Sequence, residues 1–201
     1  MPLRISSILL AAGSSKRMGR VKQLLPLGDK PVIRHCLDTL LCSGIIDIIV
    51  VLGPHGPQIA DAIRGLPVTI RQNEYPDSEM AESVRIGLKA IDPSSSGVLI
   101  CLSDHPLVSV ETVKSLISGH AADPDKIIVP LYSGRRGHPT LFSRRILEEI
   151  YSGLTLRDIL KKDSDRVKCI QVTDEGVILD MDTAEDYKKI NESLKNQRTD
   201  K

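Results

Sequence analysis

The sequence predicts an α/β domain on a mostly parallel sheet, and three observations carry that prediction. Short β-rich apolar runs alternate with segments of helical periodicity. Such alternation produces βαβ units, whose crossovers bring neighbouring strands parallel. The chain has 201 residues and no Gly/Ser/Pro-rich linker long enough to divide it, which suits one domain burying roughly 70% of its unfolded surface. One unit over 1–194 is expected, with "KNQRTDK" at 195–201 as a frayed polar tail.

Taken in order, "ISSILLA" is the first strand. It runs into the stretch 9–31, "LLAAGSSKRMGRVKQLLPLGDKP", in which Lys16, Arg17, Arg20 and Lys22 lie between Gly13 and Gly28 with no acid among them. Pro31 suits the first turn of a helix reaching about Ser43, where Gly44 is a stop signal. "IDIIVVLG", "VTIRQ", "GVLICLS" and "KIIVPL" follow as strands between helical segments. After Pro130 the alternation fails. There "YSGRRGHPTLF" brings a turn and an extended piece, while "RVKCIQV" and "GVILDM" read as strand-like runs without a clear crossover. Thr155 to Asp158 and Thr183 to Asp186 each have the spacing of a capping box opening a helix.

Composition narrows the function. Twenty-seven basic against 26 acidic residues leave a formal charge of +1, so no global field points to nucleic acid or an anionic membrane. One Phe, four Tyr and no Trp remove the stacking platforms of single-strand binders. Cys36, Cys42, Cys101 and Cys169 form no C-x-x-C pair, which argues against a disulfide framework or a zinc site. The N-terminal apolar run is too short for a signal peptide and no stretch reaches the length of a membrane span. A cytoplasmic protein is expected.

Four constellations carry chemistry. Open parallel sheets bind ligands at the carboxyl ends of strands, and Ala11, Ala12, Gly13, Ser14 and Ser15 follow the first strand. Small residues there let backbone N–H groups approach an anion, and the four cations suit polyphosphate; a solvated basic turn is the plainer reading. The stretch is neither a Walker A loop nor a G-x-G-x-x-G pattern. In "LICLSDHPLVS" a strand delivers Asp104, which could hold Mg²⁺ or simply cap a turn. In "GVILDMDTAEDY", Asp180 and Asp182 would share one face of a strand, or Asp182 and Thr183 would only enter the last helix. In "GRRGHPTLF", Arg135, Arg136 and His138 suit a phosphorylated acceptor or a hairpin with solvated tips.

These residues also carry a resemblance. "LAAGSSKRMGRVKQLLPLGDKP" resembles the signature L-A-A-G-x-S-x-R-M-G-x-x-K-x-L-L-P-x-x-G-K-P of MobA-like nucleotidyltransferases, and within them the molybdenum cofactor cytidylyltransferases. The likeness runs from about Ser6 to Tyr187 through "SDHPLV" (family G-D-Q-P-x-V), "GRRGHPTLF" and "DMDTAEDY" (family D-I-D-T-P-E-D). It implies a Rossmann-like three-layer domain of the nucleotide-diphospho-sugar transferase type that moves a nucleotidyl group from a nucleoside triphosphate to a phosphorylated acceptor. On these positions it assigns Arg17, Lys22 and Asp104 to catalysis, and Leu10, Ala11, Ala12, Gly13, Ser14, Ser15, Asn73 and Ser83 to the nucleotide. Met80, Arg85, Arg136 and His138 go to the acceptor, and Asp104 and Asp182 to Mg²⁺. The implied partners are CTP, molybdopterin and, transiently, a molybdoenzyme or its chaperone.

The chain departs from the family pattern at Glu79, where glycine is usual, and at Glu82, where a small residue is common. Ser103 replaces a usual glycine and His105 a usual glutamine, and only "SGLTLRDIL" resembles the family's G-A-R segment. A guanylyltransferase on the same cofactor, or transfer to another phosphorylated small molecule, stays open. So does a non-catalytic module that delivers molybdopterin. A glycosyltransferase would place its D-x-D after a central strand, whereas here Asp180 and Asp182 lie near the end.

Overall fold

The computed structural model describes residues 3–13, 19–75 and 79–199. Strand β1 (Ile5–Ala11) is buried at all seven positions, as a strand covered on both faces must be. After it come a 3₁₀ turn (Lys22–Leu24), a two-stranded ribbon of β2 (Pro26–Leu27) and β3 (Lys30–Pro31), and helix α1 (Val32–Cys42). Pro31 pairs with Pro26 in the ribbon and stands one residue before the helix, at its N-cap, rather than within the first turn. Gly44, with φ +85°, ends the helix and leads into β4 (Asp47–Leu52).

Next are α2 (Gly56–Ala62), β5 (Thr69–Gln72), α3 (Met80–Leu88), β6 (Gly97–Leu102), α4 (Val110–Ala122) and β7 (Ile127–Tyr132). Ser133 and Gly134 both take positive φ, +46° and +79°, the conformation of a tight hairpin turn. They send the chain back as β8 (Arg135–Arg136), with Leu131 opposite Arg136. Strand β9 (Thr140–Ser143), α5 (Arg144–Leu147), α6 (Leu156–Lys162), β10 (Val167–Gln171) and α7 (Ala184–Thr199) complete the chain. Helix α7 thus continues into the segment expected as a frayed tail.

The eight-stranded sheet has the order β10-β7-β9-β6-β1-β4-β5, with β8 paired to β7. Leu9 of β1 lies opposite Val50 and Cys101, both in parallel register. The sheet is mostly parallel, as the alternation predicts; β9, inserted antiparallel between β6 and β7, and the short β8 run the other way. Alternate β1 residues face opposite layers. Leu9 and Ala11 pack with Ile33, Leu37 and Leu116, whereas Ile8 and Leu10 pack with Val84, Leu88 and Phe142. That two-sided burial makes three layers, with α1, α2 and α4 on one face and α3, α5 and α6 on the other. Among the described residues no helix is long and apolar enough to cross a membrane.

One expected strand is absent. Where "GVILDM" begins, Glu175–Ile178 form a 3₁₀ turn, because the Asp174 side chain accepts from the N–H of Gly176 at 2.9 Å and curls the backbone. Asp180 and Asp182 therefore share no strand face. The segment instead docks through Met181, fully buried with Leu27, Val32, Leu107 and Ile190.

Candidate active site

Three parallel strands, β4, β1 and β6, release their carboxyl ends side by side. Beyond them lies a cleft of about 260 Å³ lined by Leu10, Ala12, Gly13, Lys22, Asn73 and Asp104, among others. Its floor is backbone. A Cβ on Gly53 would collide with the carbonyl oxygen of Ala12, so glycine lets the loop after β4 close against the loop after β1. On one wall Asn73, 2% exposed, donates to Ser83 Oγ at 2.9 Å, and its Oδ1 accepts from the Tyr75 N–H at 3.0 Å.

Lys22 occupies the other end. Its ammonium donates to Asp104 Oδ2 at 2.8 Å and to Asp182 Oδ1 at 3.1 Å. Burial opposes the charge and is the largest single influence on Lys22, yet the two carboxylates together outweigh it and hold its pKa above the ordinary 10.5. Asp104 arrives from the end of β6. Asp182 arrives from the docked segment, where the N–H of Met181 donates to the Asp104 carbonyl at 3.0 Å. Immediately after it, Thr183 and Asp186 form the reciprocal cap that opens α7, so the helix-entry reading of this stretch holds, and Asp182 turns to Lys22 without the strand face expected of it.

Two carboxylates converging on one cation are the donor set that suits a divalent metal. The Lys22 ammonium bridges the two carboxylates, and Asp104 Oδ1 is buried without a hydrogen-bond partner. Among the described residues no group of three or more His, Cys, Asp and Glu side chains could cage a metal. Mg²⁺ and its relatives take one or two carboxylates and fill the remaining positions with phosphate oxygens and water, so the pair fits them.

Leu10, Ala12, Gly13, Asn73, Ser83 and Met80 line the cleft with Lys22 and Asp104. Ala11 does not; its side chain is buried in the core. Ser14, Ser15 and Arg17 lie outside the described residues. The other residues expected at the acceptor, Arg85, Arg136 and His138, do not line the cleft. Arg85 binds Glu82 at 2.9 Å and the Ile150 carbonyl at 3.1 Å, which neutralises the second of the two unexpected acids. Glu79 is the exposed N-cap of α3. Arg136 is exposed on β8. His138 stacks on His105, with ring centroids 5.2 Å apart and planes 7° from parallel; burial above all, then His105, pushes its pKa down to about 4. The two rings line a small cavity together with Cys36 and Cys101. All four cysteines are free thiols.

Sequence reasoning missed Gln23, Gly53, Tyr75, Leu102 and Ser103, which also line the cleft. Adjacency was the available signal: Gln23 follows Lys22, and Leu102 and Ser103 precede Asp104.

The profile of the MobA-like NTP transferase domain matches residues 7–167 of this chain. The chain is 30% identical to nicotine blue oxidoreductase of Paenarthrobacter nicotinovorans, over 90% of this chain and 93% of that protein. It is 32% identical to the bifunctional protein GlmU of Halorhodospira halophila, of which it spans about a third (32%). In structure it is similar to Rv0371c from Mycobacterium tuberculosis H37Rv, with TM-score 0.81 and 31% identity over 94% of this chain and 98% of that one. The same protein complexed with manganese gives TM-score 0.77 at 30% identity, over 94% and 99%.

Proposed function

The chain belongs to the MobA-like NTP transferase family, and on that premise we propose that it transfers CMP from CTP to the terminal phosphate of molybdopterin with release of pyrophosphate. The observation that carries this reading is the Lys22 ammonium held between Asp104 and Asp182 at one end of a cleft floored by Ala12 and Gly13. Backbone N–H groups of that loop bind the triphosphate, and Asn73 and Ser83 set the opposite wall. Lys22 neutralises charge on the α-phosphate as the acceptor's phosphate oxygen attacks in line. Arg17 takes the leaving pyrophosphate. Asp104 and Asp182 would hold Mg²⁺, which when bound adds positive charge beside the phosphates. The protein does little covalent work here; positioning and charge neutralisation supply most of the acceleration.

The experiment is Mg²⁺-dependent pyrophosphate release by the full chain with molybdenum-loaded molybdopterin and CTP, GTP, ATP or UTP offered separately. Release selective for CTP is expected; release with GTP moves the reading to the guanylyl branch. Silence with all four overturns the acceptor. Asp104→Ala is expected to lose nearly all turnover while its circular dichroism spectrum stays that of the parent. A relative named an oxidoreductase makes redox turnover the competing outcome. The buried thiols give it little support: burial raises the pKa of Cys36 and pushes Cys101 up to about 12, leaving poor thiolates outside the cleft.

A further inference from the structure

His105 stands where the family pattern has glutamine, and nothing above gives it a task. Its Nε2 is 3.8 Å from Asp104 Oδ1, whereas Lys22 donates to the other oxygen, Oδ2. Oδ1 is buried and has no hydrogen-bond partner, and neither has Nδ1 of the same imidazole. A gap of this size between a ring nitrogen and a carboxylate exceeds a hydrogen bond by less than about 1 Å and closes by a small movement of the ring within its plane. The imidazole plane is fixed from behind by the His138 ring, 7° from parallel. His138 is fixed in turn, because its backbone N–H donates to the Val177 carbonyl at 2.8 Å, in the docked segment that carries Asp182. One stack therefore links both carboxylate-bearing segments.

We propose that His105 is a positioning residue for the cation site: its Nε2 side holds Asp104 Oδ1, which turns Oδ2 toward the cation that Asp182 shares, and His138 is the platform that aligns the ring. The proposal rests on the reading that Asp104 and Asp182 hold a divalent metal. Carboxylate ligands are ordinarily held by such outer hydrogen bonds, and loss of one typically costs about tenfold to a hundredfold in metal affinity. Glutamine, the usual residue of the family at this position, can also present an N–H donor.

The test is Mn²⁺ binding to the full chain without nucleotide, read from loss of the free-ion electron paramagnetic resonance signal, alongside thermal melts. His105→Leu, which fills similar space without a donor, is expected to weaken Mn²⁺ binding about tenfold or more, and His105→Gln to recover most of the loss. His138→Ala leaves Asp104 and His105 in place and is expected to give an intermediate loss. Wild-type affinity in His105→Leu, or equal weakness in the Leu and Gln variants, would show a packing role and overturn the proposal. Should His105→Leu fail to fold, unchanged binding in His138→Ala overturns it instead. Failure of the wild-type chain itself to bind Mn²⁺ would remove the metal reading and this inference with it, a result distinct from the other two.

Discussion

His120 on α4 is fully buried, and neither ring nitrogen has a hydrogen-bond partner. Burial holds its pKa below the ordinary 6.5, and does the same for His35 and His138. As pH falls through 6.5 the unfolded chain takes up protons that the folded chain refuses, so stability is complete above that pH and declines below it until the folded groups titrate. His120→Leu is expected to flatten the fall in melting temperature between pH 7 and pH 5, measured by circular dichroism. An unchanged slope would mean that other groups carry it. At this scale the sequence was informative wherever a residue's task is set by its neighbours in the chain. Lys22 and Asp104 sit in stretches that resemble family motifs, and both line the cleft. Arg85 and His138 looked equally available, but their partners Glu82, Ile150 and His105 are settled by packing, which no local pattern records.

Elements were legible where a turn signal bounded an apolar run. Strands β1, β4, β5, β6 and β10 lie within the runs that predicted them, and β7 passes the end of its run by one residue, Tyr132. Both capping boxes are present, at Thr155 and Thr183. The stretch 176–181 misled because its apolar residues serve a docking contact rather than a strand, and Asp174 bends the backbone first. The turn and the extended piece of 132–142 were legible, but the insertion of β9 between β6 and β7 was not, since which strands it pairs with is settled by packing across the sheet. Thr155→Ala removes the cap of α6, a helix that contributes no residue to the lining of the cleft. It is expected to cost about 1 kcal/mol in urea unfolding while leaving Mn²⁺ binding as in the parent.

For the molecule as a whole, the close approach of Gly137 to the docked segment ties stability to the site. A Cβ at Gly137 would collide with the Val177 carbonyl oxygen. Gly137→Ala is therefore expected to cost about 1–3 kcal/mol. It should also reduce the rise in melting temperature that Mn²⁺ gives the parent by binding the folded state. A variant that is destabilised but keeps the full Mn²⁺ response would show that Asp182 is held independently of Val177. The ion pair of Lys22 with Asp182 joins residues 160 positions apart in sequence, and contacts of that span wait on nearly all the chain between them. In a refolding experiment the return of cation binding should accordingly trail the return of helical signal, making the site a clock that strikes only when the last segment has come home.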